Sequence, residues 1–381
     1  WLKIYDKPVL YFPKFFHPDP TVKRQSGFLM PALGSSTSLG TSFNIPYYHV
    51  LSENKDLTFK PRLYTDEMVL LQSEYRQVNK NSEHILDFSY MNEKNPTKNH
   101  FFSKSINRVN LQNFDDSEVK LKIQQVSNET YLKTYKLKSP IINSYDSLNS
   151  SLEFNAFRED LTFNTSFEVF EDLSLKSSDR YQYVYPNYIL SKKFDPSFDL
   201  NGLLSLDSSG YIKNYNTNVY EKVVINDLFF NTYPKITNNG LKNNFNFLIK
   251  NINTDSNKSE KYKESTTHRI ASLLQYNLSY PLLKKTENYT NKLKPLVALK
   301  FSPDKTKKIT TEDRRIDVNS AYSFNRIGAN DNIEEGASLT YGFDYVKTNN
   351  IKRDILKFSL ANILRFDETK NLPNENGMGN T

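Results

Sequence analysis

Alternation of apolar and polar residues with a period of two is the feature that most constrains the fold of this chain. In the cleanest segment, Leu161, Phe163, Phe167 and Val169 alternate with polar neighbours. Successive side chains of a β-strand point to opposite faces, so the pattern predicts strands with one apolar and one polar face. Helical periodicity is scarce along the chain.

Similar segments recur along the chain, and turn-forming residues separate them. We count roughly a dozen or more, each about ten residues long, which is the length that a tilted strand needs to cross a bilayer. No apolar run approaches the ~18 residues of a transmembrane helix, and the mean hydropathy is −0.65. Clear examples are residues 57–60, 86–90, 119–124, 245–249, 341–345 and 356–360.

Aromatic residues are abundant for so hydrophilic a chain. There are 25 Tyr and 26 Phe in 381 residues, although hydrophobic residues make up only 37%. An outer-membrane barrel has this composition, because only alternate residues face lipid and aromatic girdles lie at both interfaces. A soluble β-protein fits the composition equally well. The net charge of +7 is compatible with a nucleic-acid or anionic-lipid partner, but Lys and Asn are abundant along the whole chain, so base-composition bias explains it equally well. We expect no nucleic-acid partner.

The segments between the predicted strands differ in length. Short joins are expected at Glu159–Leu161 and Asn238–Gly240, and a long polar loop at Asn253–Thr267. Asn143–Ser151 and Asp207–Gly210 also have the composition of turns or loops. Outer-membrane barrels show this asymmetry, with short turns on the periplasmic side and longer loops outside.

A search for catalytic or cofactor motifs is negative. The chain has no Cys, which excludes cysteine nucleophiles, thiolate zinc sites and disulfides within it. None of the five His has metal-ligand spacing, and the chain shows no phosphate-binding loop or nucleophile elbow. We therefore predict that the chain is not an enzyme and holds no cofactor or metal.

Two charged clusters stand out in the second half of the chain. Glu334–Glu335 is an acidic pair that we interpret as solvated loop charge. Arg314–Arg315 forms a basic patch with Lys305, Lys307 and Lys308. This patch has the chemistry to meet lipid phosphates, but a solvated outer loop is the simpler interpretation.

The first part of the chain differs from the rest because it is rich in proline. Proline cannot donate to a sheet ladder, so this part predicts at most an edge strand and a connector. We place a boundary after residue 24, with strand-like alternation in residues 25–381. The prolines concerned are Pro8, Pro13, Pro18 and Pro20.

Residues 7–76 carry the most specific motifs. In order, these are Lys-Pro-Val-Leu-Tyr-Phe-Pro (7–13), Arg-Gln-Ser-Gly-Phe-Leu-Met-Pro (24–31), Ile-Pro-Tyr-Tyr (45–48), Lys-Pro-Arg (60–62) and Glu-Tyr-Arg (74–76). Their order and spacing resembles the LptD (OstA/Imp) family of lipopolysaccharide-assembly proteins. Residues 293–303 and 325–342 add support, and together the matches cover about a third of the chain.

The resemblance implies an all-β fold with two parts. Residues 1–24 would be the last strand of a periplasmic β-jelly-roll and a connector. Residues 25–381 would be the N-terminal part of an antiparallel transmembrane β-barrel, roughly half of a very large one. The chain would then be a fragment that ends in a loop partway round the barrel, without the strands that form the other wall of the gate.

The resemblance also implies a function. Members of the family receive lipopolysaccharide from a periplasmic bridge and insert it into the outer leaflet through a lateral gate between the first and last strands. By motif, Pro31 and Pro46 match the prolines that weaken this gate, and Gly27 and Phe28 lie beside them. Independently of the resemblance, proline has no backbone N–H to donate to a sheet ladder, so two prolines in adjacent strands would weaken their pairing. From the residues alone, the favoured interpretation is that Pro31 ends a connector and Pro46 begins a strand.

Partners and location follow from the same resemblance. We expect lipopolysaccharide as substrate, an LptE-like plug lipoprotein, an LptA-like bridge protein, and a place in the outer membrane of a Gram-negative cell with a periplasmic N-terminal part. Val9, Tyr11, Tyr47 and Tyr48 are candidates for the lipid path.

Two other functions remain open at this point. The first is another large outer-membrane β-barrel, either a porin or a receptor-type channel. The second is a secreted soluble β-protein that binds glycans. An enzyme ranks last, because no group of residues supports one.

Overall fold

The chain folds almost entirely as antiparallel β-structure. The computed structural model describes residues 2–4, 7–10, 24–36, 39–65, 68–91, 98–175, 178–194, 201–312 and 314–373, with the backbone alone for 2–4, 7–10, 36 and 178. These residues form 23 strands, one five-residue α-helix and one 3-10 turn. The prediction of an all-β antiparallel fold is therefore confirmed. No helix in the described ranges has the length and apolar character needed to cross a bilayer.

Apart from two short strands, the strands of the second part of the chain are longer than those of the first. Those of the first part are β1 Leu2–Ile4, β2 Lys7–Leu10, β3 Gly27–Phe28, β4 Ala32–Ser36, β5 Gly40–Asn44, β6 Tyr47–Ser52, β7 Lys55–Tyr64, β8 Val69–Val78, β9 Ser82–Met91, β10 Lys98–Arg108 and β11 Asp116–Val126. The helix α1 spans Tyr131–Tyr135, and the 3-10 turn spans Ser178–Arg180. The later strands are β12 Ser147–Arg158, β13 Leu161–Asp172, β14 Tyr181–Phe194, β15 Gly202–Tyr215, β16 Val219–Thr232, β17 Lys235–Ile236, β18 Lys242–Asn257, β19 Thr267–Ser279, β20 Leu282–Lys285, β21 Tyr289–Ser302, β22 Gly336–Asn349 and β23 Asp354–Arg365.

The chain divides into two compact units. The first comprises Trp1–Asn107 with Lys122–Tyr145, and the second comprises Arg108–Leu121 with Asp146–Thr381. Within each unit, most strands pair antiparallel with their sequence neighbours, as β7, β8 and β9 do in the first and β12, β13 and β14 in the second. The predicted boundary after residue 24 stays a prediction, because residues 11–23 lie outside the described part.

The two faces of the sheets have the reverse of a soluble protein's polarity. On β9, Phe88 is 45% exposed whereas Asp87 beside it is fully buried; on β21, Phe301 is 53% exposed whereas Lys300 is 6% exposed. Water would penalise both the exposed rings and the buried charges. Lipid on the apolar face removes the first penalty, and this arrangement is that of an outer-membrane β-barrel wall.

The predicted connections are partly right. The two-residue join Glu159–Asp160 and the turn at Asn238–Gly240, with Gly240 at φ +81°, are confirmed. The turn predicted at Asp207–Gly210 is wrong, because these residues lie inside β15 and pair with β16. Polar residues on the polar face of a strand have the composition of a turn, so composition misled here. Residues 147–151 of the predicted loop Asn143–Ser151 likewise belong to β12.

Two long connections fold back onto the polar face of the sheet. Residues 127–146 join β11 to β12 and include α1, and residues 303–335 join β21 to β22. We call them the helical segment and the covering segment. The long loop predicted at Asn253–Thr267 is real but shorter, since β18 continues to Asn257 and leaves residues 258–266 as the connection.

Gly342 on β22 marks a close approach between the sheet and the covering segment. A Cβ added there would lie 1.9 Å from the Leu360 carbonyl oxygen and 2.6 Å from the Tyr322 hydroxyl. Backbone crowding cannot be relieved by a rotamer change, so Gly342→Ala should lower the free energy of unfolding by about 1–3 kcal/mol. We expect the folded, heat-modifiable form of the protein to be lost at lower temperature in gel-shift assays. Gly27→Ala is the matched control, because its Cβ would meet nothing within 4 Å. Equal shifts for the two variants would contradict the packing described.

Candidate functional site

The covering segment packs on the polar face of the second unit through apolar contacts. Ile333 is buried in a cluster with Leu248, Ala271 and Leu273. Phe324 meets the ring of Phe229 edge-on at 5.2 Å between centroids. These contacts supply the burial that holds an irregular segment against strands.

Strand side chains donate hydrogen bonds to the backbone carbonyls of the covering segment. An irregular segment buried against a sheet leaves carbonyls without ladder partners, and each must be satisfied by another donor. Lysine and glutamine side chains on three strands supply these donors. The contacts are Lys250 Nζ to Asn330 O at 2.8 Å, Gln275 Nε2 to Tyr322 O at 3.0 Å, and Lys300 Nζ to Phe324 O at 2.8 Å and Ser323 O at 3.1 Å.

A buried ion-pair network closes the end of the covering segment. The Arg326 guanidinium forms two hydrogen bonds with the Glu334 carboxylate, the one from Nε being 2.7 Å long, and also donates to Ser338 and Thr340 on β22. Lys300 Nζ lies 3.5 Å from the same carboxylate, and Arg365 Nη1 lies 3.6 Å from it. One carboxylate therefore serves three buried cations.

The charge balance of this network fixes the ionisation state of Glu334. Burial alone would raise the pKa of its carboxyl, but the charges of Lys300 and Arg326 outweigh burial and hold the pKa below its usual value. Because the pKa is lowered on folding, the carboxylate stabilises the fold above pH 4.5 and loses this effect as the pH falls through the folded-state pKa.

The interpretation of Glu334 as solvated loop charge is wrong. Its side chain is 5% exposed and paired on several sides. An acidic pair between turn residues resembles a surface loop, and nothing local shows that a strand lysine lies beneath it. The one sequence feature that indicated a buried pair was Arg326, which lies eight positions upstream in the same motif region and is a potential partner of Glu334.

The helical segment repeats this arrangement in the first unit. Its buried residues Tyr131, Leu132 and Leu137 lie against strands. Side-chain donors of the strands again bind its carbonyls. The contacts are Arg62 Nη1 to Tyr135 O at 2.5 Å, Gln72 Nε2 to Lys138 O at 3.0 Å, and Gln124 Nε2 to Ile141 O at 3.0 Å.

Beneath the helical segment, Asp87, His100 and Ser89 stand in the order of a hydrolase triad. His100 Nε2 lies 3.1 Å from Asp87 Oδ1, His100 Nδ1 contacts Ser89 Oγ, and the Tyr131 hydroxyl lies 2.7 Å from Ser89 Oγ. The three are fully buried, so no substrate reaches the serine, and we interpret the chain of contacts as structural. In the described ranges, no group of three or more His or acidic residues is arranged to hold a metal ion.

The structure places Pro31 and Pro46 at neighbouring breaks in two adjacent strands. Pro31 lies just before β4, and Pro46 lies between β5 and β6. β3 pairs with β6, and β4 pairs with β5, so residues 29–31 lie opposite residues 45–46. A hydrogen bond from Leu29 N to Pro46 O, 2.8 Å long, crosses the break. β7 continues past the break and pairs with both β5 and β6.

The other predicted gate and lipid-path residues divide between the two faces. Gly27 is opposite Tyr48, and Phe28 is opposite Tyr47 with their rings 5.0 Å apart. Because alternate residues of a strand face opposite sides, Tyr47 shares the apolar face with Phe28, and Tyr48 lies on the polar face.

Two predicted lipid-path residues lie in the first part of the chain. Val9 belongs to β2, where the backbone alone is described, and Tyr11 lies outside the described residues.

If the ion-pair network holds the covering segment in place, removal of the Glu334 charge should destabilise this segment. Glu334→Gln should leave three buried cations without a counter-charge, at a cost of about 3 kcal/mol or more. We expect faster hydrogen exchange at amides 320–335 of the variant. Glu312→Gln is the matched control, because Glu312 pairs with Arg314 at a half-exposed position of the same segment, where an ion pair contributes about 0–1 kcal/mol. Unchanged exchange in Glu334→Gln would contradict the proposed role of the network.

Comparison with known families agrees with the fold and with the motifs. The family model described as "LPS transport system D" matches residues 99–380, and a second model described as "LptD protein" matches residues 1–120. The first match alone covers well over half of the chain, and the two together cover both units.

Individual relatives carry the same description, "LPS-assembly protein LptD". That of Pseudomonas putida (strain W619) is 39% identical over 94 residues, covering 25% of this chain and 10% of the relative. That of Pseudomonas entomophila (strain L48) is 25% identical over 237 residues, covering 60% and 24%. That of Pseudoalteromonas atlantica (strain T6c / ATCC BAA-1087) is 30% identical over 174 residues, covering 45% and 22%.

The matched regions thus span about a tenth to a quarter of the length of these relatives. The motifs of residues 7–76, the inverted polarity of the sheets and the two family models lead to one conclusion: the chain belongs to the LptD family of outer-membrane β-barrel proteins.

Proposed function

We propose that this chain forms part of an outer-membrane translocon that inserts lipopolysaccharide into the outer leaflet through a lateral gate. The substrate would arrive from a periplasmic bridge protein of the LptA type. A lipoprotein of the LptE type would plug the barrel. Family membership supports the role in lipopolysaccharide assembly, and the geometry around Pro31 and Pro46 supports the gate.

The observation that carries the gate is the pair of opposed breaks at residues 29–31 and 45–46. A ladder is weakest where successive donors are missing, and each proline removes one backbone N–H. Two breaks that face each other weaken the first two strands at the same level, so these strands can bend away from the last strand at little cost in hydrogen bonding. Phe28, Met30 and Leu33 are exposed beside the break and would offer acyl chains an apolar surface.

The two faces of the sheet suit an amphipathic substrate. Acyl chains would follow the apolar face and reach lipid without crossing water. Sugars and phosphates would follow the polar face, where Lys, Gln and Ser side chains lie. Separation of the two parts of the substrate therefore follows from the period-two pattern of the strands.

Depletion of the full-length protein tests this function. We expect surface lipopolysaccharide to fall and permeability to large hydrophobic antibiotics to rise as the protein is depleted in its host. Re-expression of the wild-type gene should restore both. Undiminished surface lipopolysaccharide after complete depletion would overturn the proposal.

Substitution of the two prolines tests the gate alone. Pro31→Ala with Pro46→Ala restores two N–H donors, each able to stabilise the closed ladder by about 0.5–1.5 kcal/mol. We expect slower appearance of newly made lipopolysaccharide at the surface, measured by pulse labelling at equal protein abundance. Pro295→Ala is the matched control, because Pro295 lies in the second unit, within β21 and opposite Phe343. Wild-type export by the double variant would reject the gate but not the translocon.

A further inference from the structure

A pocket of about 560 Å³ lies between the connection 258–266 and the covering segment. Its floor is formed by Ile252 and Thr254 on β18 and by Thr267 and Arg269 on β19. Its volume lies within the range of about 300–1,000 Å³ that sites for small molecules occupy. The pocket opens on the polar side of the sheet, near the end of these strands where both connections lie.

The lining of the pocket carries a large excess of positive charge. Asp331 is its one carboxylate. Like charges around one cavity repel each other, and the repulsion falls when an anion enters. No carboxylate of the described ranges forms an ion pair with Lys263, Lys305 or Lys308. The lining cations are Lys261, Lys263, Arg269, Lys305, Lys307 and Lys308.

Asp331 and Tyr262 hold the wall of the pocket in place. The Tyr262 hydroxyl donates to Asp331 Oδ2 at 2.8 Å, and Lys261 and Lys307 pair with the same carboxylate at 3.0 and 3.5 Å. Both lysines also lie over the Tyr262 ring, at 5.0 and 4.2 Å from its centroid. Because Asp331 is fully engaged by these contacts, it cannot neutralise the remaining cations.

The backbone positions of the basic residues are fixed as well. Arg269 on β19 donates to the Lys305 carbonyl, and Glu335 accepts a hydrogen bond of 2.9 Å from the Thr306 backbone N–H. Burial, together with the charge of Lys261, lowers the pKa of Lys307 although Asp331 raises it. Because these hydrogen bonds hold the backbone around the cavity, the lysines on it keep a defined arrangement.

We propose that this pocket binds the phosphate groups of a phosphorylated sugar. Lysine and arginine side chains are the usual partners of phosphate oxygens. Ile252 and Tyr262 add apolar surface, and Thr254 and Thr267 add hydroxyls, which a bare phosphate ion would not need. The proposal rests on the proposed function, in which lipopolysaccharide sugars follow the polar face, and adds a specific contact for their phosphates.

Binding of phosphorylated core oligosaccharide, released from lipopolysaccharide by mild acid hydrolysis, tests the pocket. The full-length protein in detergent is titrated by calorimetry with this oligosaccharide, with the same oligosaccharide after dephosphorylation, and with inorganic phosphate. The variant is Lys263→Gln, Lys305→Gln and Lys308→Gln. The matched control removes the same charge from exposed lysines, by Lys242→Gln, Lys284→Gln and Lys285→Gln.

We expect the pocket variant to bind the phosphorylated oligosaccharide at least about tenfold more weakly than the wild type, since three charge-assisted contacts are lost. The control variant should bind like the wild type, and the dephosphorylated oligosaccharide should bind weakly to all three proteins. Equal binding of the phosphorylated and dephosphorylated forms would overturn the proposal, and so would an unchanged affinity in the pocket variant. If inorganic phosphate binds as tightly as the phosphorylated oligosaccharide, the pocket is a site for the free ion, and the assignment to a phosphorylated sugar is overturned.

These outcomes are separate from those that test the translocon. If depletion lowers surface lipopolysaccharide but the pocket variant binds normally, the proposed function stands and the pocket fails. If depletion has no effect on lipopolysaccharide, the proposed function fails whatever the titration gives.

Discussion

The interaction on which the second unit depends is the buried pairing of one carboxylate with three cations. Glu334 lies among Lys300, Arg326 and Arg365, and its partners come from two strands and from the covering segment itself. A buried charge is tolerated only when paired, so the segment has one position in which the network is complete. The carbonyl contacts of Lys250 and Gln275 and the packing of Ile333 depend on that position.

The strands were predictable from the sequence because their cause is local. Alternation such as Leu161, Phe163, Phe167 and Val169 follows from the geometry of a single strand and a two-sided environment. The position of the covering segment was not predictable in this way. Its contacts join Arg326 to Ser338 and Lys250 to Asn330, and such contacts leave no periodic trace in the sequence. Asp207 was misassigned because a polar residue on the polar face of a strand resembles a turn residue. Glu334 was misassigned because a buried carboxylate in a connection resembles a solvated one.

The gate residues could be predicted from the sequence, but the geometry that brings them together could not. Motif similarity selected Pro31 and Pro46, and the rule that proline disrupts a ladder gave a reason for the selection. Neither could show that residues 29–31 and 45–46 lie opposite each other, because register between strands depends on pairings along the whole of β7. The faces on which Tyr47 and Tyr48 lie also depend on this register, because a shift of one residue would move each side chain to the opposite face.

The binding of main-chain carbonyls by strand side chains has a consequence for how this protein can diverge. Every residue type carries a carbonyl, so Lys250, Gln275 and Lys300 hold the backbone of the covering segment whatever side chains stand at Ser323 or Asn330. The segment can therefore change the surface that it presents while the wall beneath stays constant. Substitutions at such positions leave these contacts intact, and the buried lysines and glutamine are the positions where a substitution would disturb them.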